Sequence, residues 1–278
     1  MNELNFLPVD RRSGLSVREF NREYRNLGRP VVITDAMNDW TARSTWTFDY
    51  FRSRYGDSIV EVYGYAGGKY QTDRVKSMSL RDYIDGLLTH DWRSYPYYVR
   101  DDWKLFRQHS ELLADHTIPD YFFDWFKLLP PFLRLVYPRI FIGPQGAVTP
   151  LHSDIWSSHA WLAQLVGRKR WILFSPDQRG FLYDNGVQPD TPDFERFPLL
   201  KKTRPLDCII GPGDIIFVPS DWAHQVVSLD PTISLTYNYM GPGCFAPCLT
   251  NAVRELLIKR VRGRLLGSAA KAVGRAGA

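Results

Sequence analysis

The chain has 278 residues, of which 44% are hydrophobic and 23% are charged. This composition is typical of a globular protein and excludes disordered, collagen-like and coiled-coil chains. The net charge is +5, but residues 251–278 hold seven Lys and Arg against one Glu, which leaves 28 basic and 29 acidic residues before them. The basic character is therefore local, and the charge of the main body does not indicate a nucleic-acid surface.

The first half of the chain mixes short helices and strands. Residues 16–28 carry apolar side chains at helical spacing, with Ser16 as the predicted N-cap, Glu19 three residues later and Gly28 as the stop. The other patterns in this half predict strands at 31–34, 59–65 and 96–101 and helices at 47–54, 79–88 and 102–114.

From Tyr137 onward the pattern changes to short apolar and β-branched runs, each bounded by Gly, Pro, Asp or Asn. Their regular spacing favours an antiparallel barrel or jelly roll over βαβ units. The predicted strands are 139–143, 161–167, 170–176, 206–210, 214–219, 225–229 and 232–240.

These patterns predict a mainly β protein with helical elaboration. We expect one domain over residues 1–245, followed by a basic amphipathic helical tail at 246–278. Within the domain, a mixed α/β part at 1–136 precedes a jelly-roll core at 137–240.

Three cysteines, Cys208, Cys244 and Cys248, are too few for a disulfide framework. Cys244 and Cys248 are spaced CxxxC, but the two further soft ligands that a zinc site needs do not lie nearby, so we expect structural thiols. The N-terminal residues do not resemble a targeting signal, and no run of eighteen apolar residues occurs. The sequence therefore predicts a cytoplasmic protein without a transmembrane segment.

Two histidines are each followed two residues later by an acid. His109 and Glu111 lie in a helical pattern, where residues two apart point to nearly opposite sides, so we expect them on an exposed helix surface. His152 and Asp154 follow a predicted strand in an extended segment, where residues two apart share a face. This second pair is suited to binding one metal ion.

His224 is the candidate third ligand. It lies 72 residues after His152, directly after a predicted strand. In a jelly roll, two such strands can lie across the barrel from each other, which would place His152, Asp154 and His224 on one face of an octahedral ion. Two histidines and one carboxylate with open positions suit non-haem Fe(II) chemistry. On spacing alone, a chance occurrence of HxD with a distant histidine remains an equal alternative.

The segments around these residues resemble the JmjC-type, cupin-like 2-oxoglutarate oxygenases. HxD alone is a weak signal, but its combination with GxKRW and GDxxFVPxxWxH is specific, and the resemblance spans residues 12–240. The matching segments are GRPVVITDAMNDW (28–40), TPLHSD (149–154), AWLAQLVGRKRWILFSP (160–176), GPGDIIFVPSDWAHQVVSL (211–229) and ISLTYNY (233–239).

This resemblance implies a double-stranded β-helix in which His152, Asp154 and His224 bind Fe(II). It also implies that Lys169 binds the far carboxylate of 2-oxoglutarate, which agrees with the need of a buried ammonium for an anionic partner. A purely structural lysine is the alternative. The neighbouring side chains of Arg168 and Arg170 are then expected to point the other way.

Further contacts to 2-oxoglutarate are implied at Thr149, Thr236, Tyr98 and Asn238, although a threonine in a strand is also structurally ordinary. One position departs from the family. Leu162 stands where several relatives carry an asparagine that orients the co-substrate, and the resemblance does not settle what replaces it. His159 and Ser157 are the candidate substitutes.

The resemblance implies an Fe(II)- and 2-oxoglutarate-dependent dioxygenase that hydroxylates a C–H bond, consumes O₂ and releases succinate and CO₂. On an N-methyl group the same hydroxylation would lead to demethylation. The alternatives are a cupin-fold metalloenzyme that does not use 2-oxoglutarate, a non-catalytic binding module and a nucleic-acid-binding protein acting through the tail. Lys169 disfavours the first alternative, and the intact triad disfavours the second.

The primary substrate stays open between a protein side chain, a modified RNA base such as one in tRNA, and a small metabolite. The tail predicts a helix over residues 251–266 with one apolar side, which favours homodimerisation or docking onto its own domain over membrane or RNA binding. The apolar side comprises Val253, Leu256, Leu257, Val261 and Leu265.

Overall fold

The computed structural model of the chain describes residues 4–66, 69–90, 97–130, 138–255 and 258. Its strands are β1 (Leu7–Pro8), β2 (Asp10–Arg12), β3 (Val31–Ile33), β4 (Ile59–Ala66), β5 (Lys69–Ser79), β6 (Tyr97–Asp102), β7 (Arg139–Gly143), β8 (Val148–His152), β9 (His159–Val166), β10 (Lys169–Phe174), β11 (Leu206–Ile210), β12 (Ile215–Val218), β13 (Ala223–Ser228) and β14 (Thr232–Tyr239). They form two sheets, one with five strands in the order β1-β11-β10-β13-β8 and one with nine in the order β2-β3-β12-β9-β14-β7-β6-β4-β5.

The predicted mainly β fold with helical additions is confirmed. Strands from the first half of the chain, among them β3 and β6, join strands of the second half in the nine-stranded sheet. The helices are α1 (Val17–Phe20), α2 (Ala42–Thr45), α3 (Phe48–Arg54), α4 (Leu80–Thr89), α5 (Lys104–Gln108) and α6 (residues 245–255). The domain boundaries given above stay predictions.

The central strands of the nine-stranded sheet are buried on both faces. On β9, Ala160 and Leu162 enter a core shared with the five-stranded sheet, whereas Trp161 and Ala163 enter a larger core on the opposite face. A strand buried on both faces needs apolar residues at consecutive positions, which explains its continuous hydrophobic run. The shared core lies between the two sheets, as in a jelly roll.

The N-terminal helix begins where its sequence predicts. The Ser16 side chain accepts from the Glu19 backbone N–H, and the Glu19 carboxylate accepts from the Ser16 backbone N–H at 2.9 Å, so the capping box is formed. After α1 the chain continues as a π-helix, Asn21–Arg25, and Gly28 then adopts a φ of +60°. This left-handed conformation suits glycine and ends the helical segment.

The single helix predicted at 102–114 is wrong. Strand β6 extends to Asp102, α5 ends at Gln108, and a 3₁₀ helix occupies Ser110–Asp115. The break lies at His109, whose ring packs against Tyr55 with centroids 4.6 Å apart. Because the helix breaks there, the His109 Nδ1 and Glu111 Oε1 atoms approach to 3.6 Å, which the helical interpretation did not allow. Tertiary contacts therefore override the helical pattern.

Strand β5 was not predicted from the sequence. It pairs antiparallel with β4 at one edge of the nine-stranded sheet, and its residues 75–77 are exposed. Exposed positions of a strand do not need apolar alternation, so the sequence at these residues does not indicate a strand.

The C-terminal helix α6 begins at residue 245, six residues before the predicted start. Pro247 lies in its first turn, where a missing backbone N–H carries little penalty. Cys244, directly before the helix, and Cys248, within it, are both fully buried and pack in one cluster with Phe126 and Met240. Residues 256–257 and 259–278, which include most of the predicted apolar side of the tail, lie outside the described residues. Over the part of the chain that is described, no helix is long and apolar enough to cross a membrane.

Candidate metal centre

Two predicted ligands lie on neighbouring strands. His152 is the last residue of β8, and His224 on β13 faces it directly in the antiparallel register. Their ring centroids are 4.3 Å apart. The prediction that the two strands lie across the barrel from each other is wrong, because β8 and β13 are hydrogen-bonded neighbours in the five-stranded sheet. The sheet register itself brings the two rings together.

Backbone contacts orient both rings. The Nδ1 atom of His152 lies 2.8 Å from the Pro150 carbonyl oxygen, and the Nδ1 atom of His224 lies 3.1 Å from that of Trp222. A carbonyl oxygen only accepts, so each Nδ1 carries the hydrogen. Each Nε2 then presents a lone pair, which is the arrangement of histidines that bind metals.

Asp154 completes the group. The ligand atoms of His152, Asp154 and His224 all lie within 4.8 Å of one another. The Asp154 Oδ2 atom is buried and has no hydrogen-bond partner among the described residues. A buried carboxylate oxygen without a donor is costly unless a cation lies beside it. The donor set and this unpaired oxygen therefore fit one divalent metal ion.

The electrostatic environment favours the neutral form of His224. Burial lowers the pKa of His224 to about 4, the proximity of His152 adds to the decrease, and Asp154 partly offsets it. The indole of Trp171 stacks on the His224 ring with centroids 5.3 Å apart. A neutral imidazole is the form that binds a metal, so His224 is a ready ligand at neutral pH.

Lys169, the first residue of β10, is 2% exposed. Its Nζ atom lies 5.4 Å from the centre of the Phe141 ring. In the described part of the chain no carboxylate lies within 4.0 Å of this ammonium group, and burial lowers its pKa to about 7. Arg168 and Arg170 pair instead with Asp230 and Asp207. The two arginines thus have partners of their own, whereas Lys169 has no carboxylate partner among the described residues.

One cavity brings these groups together. Its volume is about 790 Å³ including the open mouth, and all eight residues predicted for the site contribute to its lining. These residues are Tyr98, Thr149, His152, Asp154, Lys169, His224, Thr236 and Asn238. The lining extends from the metal ligands to the ammonium group of Lys169.

The polar groups predicted to bind the co-substrate differ in their present contacts. Thr236 Oγ1 donates to the Trp161 carbonyl oxygen at 2.8 Å. Asn238 accepts a hydrogen bond from Arg139 and donates one to Ser158, so its amide is engaged at both ends. The amide oxygen can still accept, and the amide NH₂ group can still donate, one further hydrogen bond. The predicted role of Asn238 stays a prediction.

Tyr98 depends on a glycine opposite its ring. A Cβ atom placed at Gly143 would lie 2.0 Å from the Tyr98 ring. The close approach of the two strands at this point therefore requires glycine. Tyr98 itself is 2% exposed, with its ring 6.0 Å from that of Phe141.

Neither candidate substitute for the family asparagine reaches the cavity. Leu162 lines it, but His159 and Ser157 do not. The His159 ring lies between the Ser220 backbone N–H and the Pro242 carbonyl oxygen, and the Ser157 hydroxyl accepts from Asn251. Both residues are occupied elsewhere in the fold.

Several lining residues were not predicted from the sequence. Arg100 and Arg139 add positive charge to the cavity, and Phe141 and Trp171 add aromatic surface beside Lys169 and His224. Arg139 is the first residue of β7, and from the sequence an arginine at the end of a strand is expected to be exposed to solvent. Only the pairing of β7 with β14 brings it next to Asn238.

The comparisons with known proteins agree with this geometry. The profile of the cupin-like domain family matches residues 17–243. The arginine-specific demethylase JMJ20 of Arabidopsis thaliana is 30% identical, over 81% of this chain and 55% of its own length. The mouse 2-oxoglutarate and iron-dependent oxygenase JMJD4 is 30% identical, over 88% of this chain and 63% of its own.

A third relative is the bifunctional arginine demethylase and lysyl-hydroxylase psr-1 of Caenorhabditis elegans, 26% identical over 91% of this chain and 64% of its own length. The chain thus spans somewhat more than half the length of these relatives. The resemblance to cupin-like and JmjC proteins found in the sequence is confirmed by the family match and by these relatives. The chain belongs to the cupin-like domain family.

Proposed function

We propose that the chain is an Fe(II)- and 2-oxoglutarate-dependent dioxygenase that hydroxylates a C–H bond. The observation that carries this proposal is the sharing of one cavity by two kinds of group. These are the His152, Asp154 and His224 donor set and the buried ammonium group of Lys169, which has no carboxylate partner in the part of the chain that the structure describes. A cupin metalloenzyme that does not use 2-oxoglutarate has no need of that ammonium group.

The proposed ligands of Fe(II) are the Nε2 atoms of His152 and His224 and the carboxylate of Asp154. Three protein ligands on one side leave the other positions of an octahedral ion open. Bound iron, with O₂ and 2-oxoglutarate, supplies the oxidation of a C–H bond, with succinate and CO₂ as co-products. The protein contributes ligand orientation, through the two Nδ1 hydrogen bonds, and a shaped cavity.

Lys169 is the proposed partner of the far carboxylate of 2-oxoglutarate. With its keto-acid end at the metal, 2-oxoglutarate would direct its far carboxylate toward the buried ammonium group that lines the same cavity. Thr149, Thr236 and Tyr98 line the same cavity, and their hydroxyl groups are the proposed additional donors. Thr236 would act as a donor only after releasing its hydrogen bond to the Trp161 carbonyl oxygen. Asn238 is proposed to act near the keto-acid end, in concert with Arg139.

The proposed substrate is a protein side chain. This choice is supported by the names of the relatives, which describe arginine demethylase and lysyl-hydroxylase activities. A modified RNA base and a small metabolite are the other substrate classes that the same chemistry could serve. Comparing succinate formation in the presence of peptides, tRNA and metabolite mixtures would discriminate among them.

The test of the proposed activity is the release of succinate from 2-oxoglutarate by the purified chain with and without Fe(II). We expect succinate only when iron is present, and we expect His152→Ala and Asp154→Ala to abolish it. Replacement of exposed His90 by alanine is the matched control and should leave turnover unchanged. Equal succinate formation by the wild type and both ligand variants would contradict the proposal.

Homodimerisation through the C-terminal helix and a cytoplasmic location also stay proposals. On α6, Ala252 is buried against the domain, whereas Val253 is 39% exposed. The hydrogen bonds of Asn251 and Glu255 with residues 156–157 likewise dock this part of α6 onto its own domain. Exposed Val253, on the predicted contact side, supports association with a second copy in addition to this docking. Sedimentation of the full chain and of a chain ending at Pro247 tests this, since a monomer in both cases rejects the dimer.

A further inference from the structure

Two consecutive residues beside the metal centre have unusual backbone conformations. Trp156 has φ 55° and ψ 19°, and Ser157 has φ 57°. Residues with a side chain rarely adopt this left-handed region, and a bulky tryptophan does so at a particular energetic cost. These residues follow Asp154 after a single intervening residue. Contacts from elsewhere in the fold must therefore hold the turn.

Two side-chain contacts of this turn come from α6, and the Ser220 hydroxyl adds a third by donating to the Ser157 carbonyl oxygen at 2.7 Å. Trp156 Nε1 donates to Glu255 Oε2 at 2.5 Å, and Asn251 Nδ2 donates to Ser157 Oγ at 3.2 Å. These partners lie 99 and 94 residues further along the chain. The Trp156 ring also packs edge-on against Phe126, with centroids 5.7 Å apart. The C-terminal helix α6 thus contacts the turn through the side chains of Asn251 and Glu255.

Asp154 is the metal ligand that depends most on this turn. His152 and His224 are each oriented by an Nδ1 hydrogen bond to a backbone carbonyl. The Asp154 carboxylate has no comparable support, since its Oδ2 atom lacks a hydrogen-bond partner among the described residues. The direction of its side chain is therefore set by the backbone at residues 154–157.

We infer that Trp156 and Glu255 form a positioning pair, through which the C-terminal helix aims the Asp154 carboxylate at the metal. The inference rests on the metal centre of the proposed function and extends it to residues outside the cavity. Neither side chain lines the cavity, so neither is assigned a contact with metal, co-substrate or substrate. Both act through the turn that follows Asp154.

The experiment measures the affinity of the full chain for Co(II) and the visible absorption band of the bound ion. We expect Trp156→Phe, which keeps an aromatic ring but removes the N–H donor, to weaken Co(II) binding about 10-fold and to shift the band. Glu255→Ala should do the same. Glu255→Gln keeps an oxygen acceptor and should stay within about 3-fold of the wild type.

The double variant Trp156→Phe with Glu255→Ala shows whether the two residues act together on the metal centre or whether each change weakens Co(II) binding independently. Because both changes break one interaction, the double variant should bind Co(II) about 10-fold more weakly than the wild type and not about 100-fold. Arg254→Ala, an exposed change on the same helix, is the matched control and should match the wild type.

Thermal unfolding of each variant identifies those that remain folded. If Glu255→Ala does not fold, the Co(II) affinities of Trp156→Phe and Glu255→Gln are compared with that of the wild type instead. Folded variants with wild-type affinity and an unshifted band would overturn the positioning role alone. A wild type that does not bind Co(II) through His152 and His224 would contradict both this inference and the proposed function.

Discussion

Removing the charge of Lys169 should stabilise the protein in the absence of ligands. The group is fully buried, and burial lowers its pKa from 10.5 to about 7. The unfolded chain therefore binds a proton more readily than the folded chain between these two values. Over this range the free energy of unfolding rises with pH, and the stability present above pH 10.5 is lost as the pH falls through about 7.

The size of the effect follows from this shift. At pH 7 the wild type should be about 4 kcal/mol less stable than a chain with a neutral side chain of the same shape. At pH 9 the difference should fall to about 2 kcal/mol, because the unfolded lysine is then closer to its own pKa. Lys169→Met keeps a similar length and removes the ammonium group, so it should recover most of this difference.

The assay is urea denaturation at pH 7 and pH 9 with a metal chelator present and 2-oxoglutarate absent. Lys202→Met, at an exposed lysine, is the matched control and should change stability by less than about 0.5 kcal/mol at either pH. A Lys169→Met chain that is no more stable than the wild type at pH 7 would refute the reasoning. An equal gain at both pH values would refute it as well.

Three further changes test the surroundings of the cavity and the N-terminal helix. Gly143→Ala should destabilise the chain by about 3 kcal/mol in urea denaturation, because its Cβ would overlap the Tyr98 ring; wild-type stability would contradict the close approach. Arg139→Met should raise the 2-oxoglutarate concentration needed for half-maximal succinate formation about 10-fold, since Asn238 loses a charged partner; an unchanged requirement would exclude this role. Ser16→Ala should lower the free energy of unfolding by about 1 kcal/mol through loss of the capping box, and a change near zero would show that the cap is not needed.

Local patterns predicted those features that depend on near neighbours in the chain. The capping box at Ser16 and most core strands follow from short-range chemistry and from burial on both faces. The shared face of His152 and Asp154 likewise follows from the extended backbone between them. The sequence predicted that His152 and His224 lie close together, but it did not predict that their strands are direct neighbours. The order of β8 and β13 depends on the pairing of all the strands in the sheet.

The features that the sequence did not predict depend on tertiary contacts. His109 interrupts a helical pattern because its ring packs on Tyr55 and its Nε2 atom is hydrogen-bonded to Ser58 at 2.7 Å. The early start of α6 was obscured by Pro247, which is tolerated only because it falls in the first turn. The hydrogen bond between Trp156 and Glu255 joins residues about a hundred positions apart in the chain, so a local sequence pattern cannot predict it.

Crystals of the chain soaked anaerobically with Mn(II) and 2-oxoglutarate offer the most direct test of the proposed metal centre. We expect one anomalous scattering peak within coordination distance of the Nε2 atoms of His152 and His224 and of the Asp154 carboxylate. We also expect 2-oxoglutarate in the same cavity, with its far carboxylate beside the Lys169 ammonium group. A metal bound elsewhere, or 2-oxoglutarate bound away from Lys169, would contradict it.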